Sequence, residues 1–244
     1  MKGITLSTCR KLGDQIIFSS IPENYYRNFG EKLVDVDNRF VFDYNPFVVR
    51  GEVKPTEVVN LWSEWLRFGS LATPKTLAHK LCVFFNMECF LAHPRLYRFE
   101  DEYQLPKSVT VHTSGVTVGA MPHFVIAQIL RNYADYNLFQ IGGKTDVSIK
   151  GFDRRGCEFW ESARYIAGSE IYIGIDSSML HVAMAYPRTR VKVVLLNKTK
   201  EELEAFTPFT IGGDHKITGW TYANCEHYNC FDRDIGITRS YLKI

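Results

Sequence analysis

The sequence predicts an α/β protein whose second half is a doubly wound, Rossmann-like unit. Two observations support this prediction. Between residues 108 and 196, short apolar segments alternate with segments of helical spacing, and the apolar segments are nearly continuous runs. Strands that are apolar on both faces are typical of a parallel sheet covered by helices on both sides and joined by right-handed crossovers.

The second half reads as β-α-β-α-β-α-β. Its strands are predicted at residues 108–115, 136–143, 170–176 and 191–196, and its helices at 121–135, 157–169 and 177–186. The last helix follows its strand directly. Asp176, Ser177 and Ser178 therefore lie at the junction of a buried strand and a helix.

The first half looks like a smaller α/β unit with too few clear strands for a second full Rossmann domain. Its strands are predicted at 3–8 and 31–36, and its helical segments at 15–29, 56–68 and 74–87, the last with Thr73 as N-cap and Pro74 at its first position. A segment rich in charge and aromatic residues, 93–107, is the predicted linker. The expected domains are residues 1–100 and 101–244.

Composition excludes several classes of protein. The net charge of +2 is too balanced to indicate binding to nucleic acid or to an anionic membrane surface. No apolar run approaches the ~20 residues that span a bilayer, and the N-terminus lacks a long apolar region of the secretory type. We therefore expect a cytoplasmic protein; peripheral membrane contact and the oligomeric state stay open.

Six cysteines occur, and none forms a C-x-x-C pair. In a chain that is not short and secreted, reduced thiols are expected. Cys225 and Cys230, with His227 between them, could ligate a metal. A structural zinc site usually has four ligands at tighter spacing, so packing or surface thiols are the favoured interpretation.

Ligands of open α/β sheets bind beyond the carboxyl ends of the strands. This rule selects four groups of candidate residues: Lys11, Leu12, Gly13 and Asp14; His112, Thr113, Ser114 and Gly115; Gly142, Gly143, Lys144, Thr145 and Asp146; and Asp176, Ser177 and Ser178. No G-x-G-x-x-G fingerprint and no Walker A sequence is present, which disfavours NAD binding and P-loop NTPase activity.

The Asp176-Ser177-Ser178 junction has two interpretations. Backbone N–H groups at a helix N-terminus favour an anion such as a pyrophosphate, and His181, one turn later, could face the same ligand. Alternatively, Asp176 or Ser177 is an ordinary N-cap, and His181 is a helix histidine with its own partners.

The residues at two other strand ends also have two interpretations each. Gly142 and Gly143 permit either a tight turn or the close approach of a ligand. Asp14 could be a general base aimed into a cleft, or a cap or first-turn charge of its helix.

Two motifs resemble bacterial glycosyltransferases of the heptosyltransferase type. KLGDQIIFSSIP (11–22) is similar to that family's N-terminal segment, and GIDSSMLHVAMAY (174–186) to its donor-binding segment. The resemblance covers about residues 3–36 and 108–197. It implies the GT-B fold, in which two Rossmann-like halves face a cleft, with a reduced N-terminal half here.

The resemblance also implies roles for particular residues. Asp14 stands at the position of the catalytic base, with Lys11 and Gly13 on the acceptor side. The residues expected at the donor and its phosphates are Thr113, Ser114, Gly143, Lys144, Asp146, Asp176, Ser177, Ser178 and His181. No cofactor and no metal are expected, because helix N-termini and hydroxyl donors can stabilise the leaving diphosphate.

The expected partners are a nucleotide-sugar donor and a glycan or other hydroxyl acceptor, in surface glycan or lipopolysaccharide synthesis. The lysine expected after the Thr-Ser-Gly loop is missing, since Gly119, Ala120 and Met121 stand there. Either Lys144 or an arginine of the first half supplies that charge, or the affinity for the donor is weak. This departure motivates one alternative, a non-catalytic nucleotide-sugar or glycan-binding protein. A nucleotide-sugar epimerase is a weaker alternative, because it would need more acidic and histidine residues around the cleft.

Overall fold

Two parallel β-sheets, one in each half of the chain, form the framework of the protein. The structure is a computed structural model that describes residues 1–67, 77–99, 104–116, 119–195 and 226–229. Within these residues the chain divides into two compact units, one up to Arg98 and the other from Phe99 onward. Predictions for Thr73, Pro74, Cys225 and Cys230 lie outside the described residues.

The first unit contains a sheet of four parallel strands within the described residues. They are β1 (Lys2–Thr5), β2 (Leu33–Asp35), β3 (Val48–Val49) and β4 (Glu57–Asn60), in the spatial order β3-β2-β1-β4. Its helices are α1 (Leu12–Ile17), α2 (Ile21–Phe29), α3 (Leu61–Arg67) and α4 (Leu77–Phe84), and short 3₁₀ turns span Phe18–Ser20 and Phe40–Phe42. The order resembles one half of a Rossmann sheet.

The prediction of a single helix over 56–68 is wrong at its start, where Glu57–Asn60 form β4. This strand pairs in parallel with β1, and Glu57 forms an ion pair with Lys2 at 3.2 Å. Val59 is buried while its neighbour Val58 is half exposed. The spacing of apolar residues over 56–68 also fits a helix. Residues 57–60 form a strand instead, because pairing with β1 satisfies their backbone N–H and C=O groups.

In the second unit, the part of the chain that the structure describes forms a sheet of six parallel strands. They are β5 (Leu105–His112), β8 (Asn137–Ile141), β9 (Phe152–Asp153), β10 (Ser169–Ile175), β11 (Arg190–Leu195) and β12 (Glu226–Asn229). Their spatial order is β9-β8-β5-β10-β11-β12, with every pair parallel. Numbered within this sheet, the order is 3-2-1-4-5-6, which is that of a dinucleotide-type Rossmann fold.

The second unit also contains helices and a small hairpin. The helices are α5 (His123–Asn132), α6 (Phe159–Gly168) and α7 (Ser178–Met184), and β6 (Ser114–Gly115) pairs antiparallel with β7 (Gly119–Ala120). Buried residues of β5 and β10, such as Val111 and Ile173, pack with α5 in one core. The predicted fold class, α/β with parallel sheets, is confirmed. Each predicted strand and helix of this half has a counterpart, but β5 begins at Leu105, inside the predicted linker 93–107, and ends at His112.

Candidate functional site

The candidate site lies where the strand order of the second unit reverses. The first and fourth strands of its sheet, β5 and β10, are neighbours, and the crossovers from them run in opposite directions. The crevice beyond the carboxyl ends of two such strands is where ligands bind in this fold. His112 ends β5 and Asp176 follows β10, so residues from two of the selected groups lie at this point.

Ser177 and His112 connect the two strand ends directly. The Ser177 hydroxyl lies 3.0 Å from His112 Nδ1, although 65 residues separate the two. Ser177 occupies the N-cap position of α7, but its side chain makes no capping hydrogen bond. The Ser177 hydroxyl therefore does not act as a helix cap. It points across the switch point to the His112 imidazole.

The imidazole of His112 is buried and uncharged near neutral pH. Its side chain is 6% exposed, and loss of hydration lowers the pKa to about 4, although the Asp146 carboxylate acts in the opposite direction. A neutral imidazole carries one N–H group and one acceptor nitrogen. His112 can therefore donate one hydrogen bond and accept one within the site.

Tyr172 brings a third polar group to the same point. Its side chain is completely buried, and its hydroxyl has no hydrogen bond of good geometry among the described residues. Burial raises the pKa of Tyr172, and the nearby Ser177 hydroxyl partly offsets that rise. A Cβ at Gly174 would overlap the Tyr172 hydroxyl. Only glycine at position 174 leaves room for this side chain.

The loop after β8 approaches His112 from the other side. Gly142 has a φ of +127°, and a Cβ there would overlap the Asp146 carboxylate and lie 3.3 Å from His112 Nε2. Asp146 accepts a hydrogen bond from the Gly143 N–H at 3.0 Å. Gly142 is thus required both for its backbone conformation and for the close approach of a carboxylate to the imidazole. Lys144, two residues later, is exposed.

Thr113 and Ser114 form the turn that leaves β5. Thr113 is buried and accepts a long hydrogen bond of 3.4 Å from the Gln140 side chain, and its carbonyl accepts from the Met121 N–H at 2.7 Å. Ser114 is half-buried and begins the β6–β7 hairpin. Thr113 therefore holds the hairpin at the strand end, whereas Ser114 is open to a ligand.

His181 is less accessible than the sequence suggested. It is 4% exposed within α7, and burial lowers its pKa to about 3. Helix α7 has seven residues, Ser178–Met184, and is shorter than the predicted segment 177–186. Asp176 and Ser178 are half-buried at the strand end. Contact of these three residues with a donor stays a prediction.

The predicted catalytic residue lies in the first unit. Asp14 is in the first turn of α1, after β1, and desolvation raises the pKa of its carboxyl while Lys11 partly opposes the rise. Burial, together with the nearby Asp14 carboxylate, raises the pKa of the Cys9 thiol to about 11. Lys11 is exposed and Gly13 half-buried. A carboxylate whose pKa is raised toward neutrality is a better proton acceptor than an ordinary aspartate.

Two residues of the site were missed in the assignment of roles from the sequence. His112 was selected as a strand-end residue but received no role, and Tyr172 was not selected. A small signal for Tyr172 was present, because Gly174 interrupts an otherwise apolar strand two residues later, on the same face. Among the described residues, no group of three His, Cys, Asp or Glu side chains could hold a metal ion, and no helix is long and apolar enough to cross a membrane.

Solved structures with the same fold are bacterial glycosyltransferases. The iron-containing dodecameric glycosyltransferase TibC from enterotoxigenic E. coli H10407 superposes with a TM-score of 0.61 at 17% identity, covering 80% of this chain and 57% of TibC. The glycosyl transferase family 9 structure from Veillonella parvula has a TM-score of 0.62 at 13% identity, covering 95% of this chain and 87% of that protein.

A third structure is the E. coli heptosyltransferase WaaC with ADP-2-deoxy-2-fluoro heptose. Its TM-score is 0.54 at 9% identity, and the superposition covers 80% of this chain and 88% of WaaC. No protein-family model and no curated protein matches the sequence. The chain thus has the fold of heptosyltransferase-type glycosyltransferases, and it spans little more than half the length of TibC.

Proposed function

We propose that this chain is a cytoplasmic glycosyltransferase that moves a sugar from a nucleoside diphosphate donor to a hydroxyl acceptor, in surface glycan or lipopolysaccharide synthesis and without a metal ion. The observation that carries the proposal is the switch point of the second unit, where the ends of β5, β8 and β10 bring three polar loops to the same edge of the sheet. Structures of this fold include WaaC with an ADP-sugar, which supports a nucleotide-sugar donor here.

The donor is assigned to the second unit. Ser114, Ser177 and Ser178 supply polar groups at the strand ends, and Thr113 holds the loop before them. Gly143 allows close backbone approach, and exposed Lys144 supplies a positive charge for the phosphates. Asp146 and Asp176 shape the pocket for the nucleoside, and His181 supports α7 from within.

The acceptor is assigned to the first unit, near Lys11, Gly13 and Asp14. In the reaction, the acceptor oxygen forms a bond to the anomeric carbon while the bond from that carbon to the phosphate oxygen breaks. The electron pair leaves with the nucleoside diphosphate, and Asp14 takes the proton of the acceptor hydroxyl. The raised pKa of Asp14 suits it to this step.

The first experiment is a thermal-shift screen of the full chain against nucleoside diphosphates and nucleotide sugars. A ligand at one hundred times its Kd stabilises the folded state by about 2.7 kcal/mol, which is readily measured. Any nucleotide sugar that stabilises the protein is then tested for transfer to hydroxyl acceptors. Absence of stabilisation by every nucleoside diphosphate would refute the proposal.

The second experiment separates chemistry from binding. Asp14→Asn keeps the size of the side chain and removes the base, so transfer should fall by at least about a hundredfold while donor affinity is unchanged. Glu52→Gln removes an exposed carboxylate of the same unit and serves as the matched control. Full turnover in Asp14→Asn would exclude Asp14 as the base.

A second candidate function is a non-catalytic nucleotide-sugar or glycan-binding protein of the same fold. The favouring observation is that Gly119 and Ala120, in the exposed strand β7, stand where a phosphate-binding lysine was expected. This function predicts stabilisation by a nucleotide sugar with neither transfer nor hydrolysis, and with no effect of Asp14→Asn.

A further inference from the structure

Two polar side chains at the switch point, Ser177 and His112, are hydrogen-bonded to each other. Ser177 has one hydroxyl proton and two lone pairs, and neutral His112 has one N–H and one acceptor nitrogen. Their contact of 3.0 Å between Oγ and Nδ1 can therefore run in either direction. The direction decides whether the Ser177 proton is already used or is offered to a ligand.

The surroundings of His112 favour its proton on Nε2. A Cβ at Gly142 would overlap Asp146 Oδ2 and lie 3.0 Å from His112 Cδ2 and 3.3 Å from His112 Nε2, so the carboxylate is near the Cδ2–Nε2 edge of the ring. A carboxylate favours the N–H facing it over a bare lone pair, since two acceptors would repel each other. With the proton on Nε2, Nδ1 is an acceptor, and the Ser177 hydroxyl donates to it.

Tyr172 supports the same direction. Its buried hydroxyl must donate to some acceptor, because an unsatisfied buried donor costs about 1–3 kcal/mol. The Ser177 hydroxyl and the Asp176 carboxylate are the polar groups near it, and the structure shows no hydrogen bond from the Tyr172 hydroxyl to either. A rotation that lets Tyr172 donate to Ser177 Oγ leaves the Ser177 proton free to point to His112. With Tyr172 turned to Ser177 Oγ, the donors run from Tyr172 through Ser177 to His112. One lone pair of Ser177 Oγ remains for a ligand.

We propose that His112 and Asp146 are positioning residues that make the Ser177 side chain a hydrogen-bond acceptor toward the donor substrate. An acceptor selects a ligand hydroxyl, such as one on the sugar or ribose, and does not bind a phosphate oxygen, which is itself an acceptor. This inference rests on the proposed function, because it takes the ligand to be a nucleotide sugar. It changes the role of Ser177 from a phosphate-binding residue to one that reads the substrate's hydroxyl groups.

The direction of the hydrogen bond between Ser177 and His112 can be tested without any ligand. In the full chain labelled with ¹⁵N-histidine, two-bond ¹H–¹⁵N correlations report the tautomer, and His112→Gln identifies the signals of residue 112. The expected tautomer is Nε2–H at pH 7. Asp146→Asn should increase the Nδ1–H population, whereas Asp135→Asn, at an exposed carboxylate paired with Lys107, should not. A predominant Nδ1–H tautomer in the unmodified chain would overturn the inference.

The ligand side is tested by calorimetry with two probes, inorganic pyrophosphate and the nucleotide sugar selected by the thermal-shift screen. Ser177→Ala should leave pyrophosphate affinity within about twofold and weaken nucleotide-sugar binding about fivefold, the loss of one hydrogen bond. Ser177→Thr keeps a hydroxyl and should restore binding. An equal loss for both probes would assign Ser177 to phosphate and reject the inference.

The two proposals fail in different ways. If no nucleotide sugar binds, the proposed function fails and the substrate part of this inference fails with it, while the NMR result still decides the direction of the hydrogen bonds. If nucleotide sugars bind and His112 carries its proton on Nδ1, the proposed function survives and only the inference is rejected.

Discussion

Acidification should destabilise this protein through two buried histidines, His112 and His181. Burial lowers their pKa values from 6.5 to about 4 and about 3, so at pH 5 both stay neutral in the folded state. In the unfolded chain they would bind protons. A group whose pKa is lowered by folding stabilises the protein above its unfolded pKa, and this contribution is lost as the pH falls.

The magnitude follows from the same values. pH 5 lies about 1.5 units below the ordinary pKa of histidine, and each unit corresponds to about 1.4 kcal/mol. Each histidine should therefore cost roughly 2 kcal/mol between pH 7 and pH 5, which is a large fraction of a typical stability of 5–15 kcal/mol. Asp14 and Asp35, whose pKa values are raised by burial, act in the opposite direction.

The contribution of His181 can be measured by urea unfolding. The full chain and His181→Leu are each unfolded at pH 7 and at pH 5. The loss of unfolding free energy on acidification should be about 2 kcal/mol smaller in the variant, because the contributions of all other groups cancel in the comparison. His123→Gln, at an exposed position of α5, is the control and should behave as the unmodified chain. An identical pH dependence in His181→Leu would show that His181 is accessible to protons in the folded state, as a ligand-facing histidine would be.

Three further predictions concern catalysis and packing. Because desolvation raises the pKa of Asp14, the rate of transfer should begin to fall on acidification at a higher pH than it would with an ordinary aspartate. A pH profile of kcat/KM with its acid limb at or below 3.8 would contradict this. Gly174→Ala should destabilise the second unit by about 1–3 kcal/mol in urea unfolding, because the added methyl group overlaps the Tyr172 hydroxyl. The control is Gly143→Ala, whose methyl group would lie 3.1 Å from the Asp146 side chain; it should cost less than about 1 kcal/mol. Asn24→Ala should cost about 2–4 kcal/mol and loosen residues 88–91 in hydrogen exchange, because the buried Asn24 amide bonds to the backbone of Phe90 and Leu91; normal protection there would argue against this role.

The second half of the fold was predictable because its signals are local. Nearly continuous apolar strands alternate with helices of clear period, and each strand is followed by a break in the apolar pattern. The first half was harder. Strands β3 and β4 are short, and Val58–Val59 sit inside a spacing that fits a helix as well as a strand. Only pairing with β1 decides between the two.

By itself, the sequence determined the order of the elements and the polar residues that end each strand, including Asp176-Ser177-Ser178 and Gly142-Gly143. These are properties of short segments, set by periodicity and by the conformational limits of glycine. The tertiary structure decided which strand ends are neighbours. Pairing of β5 with β10 and β8 brings His112 against Ser177 and places Asp146 on the other side of its ring. That neighbourhood depends on contacts between residues tens of positions apart, for which local spacing carries no information.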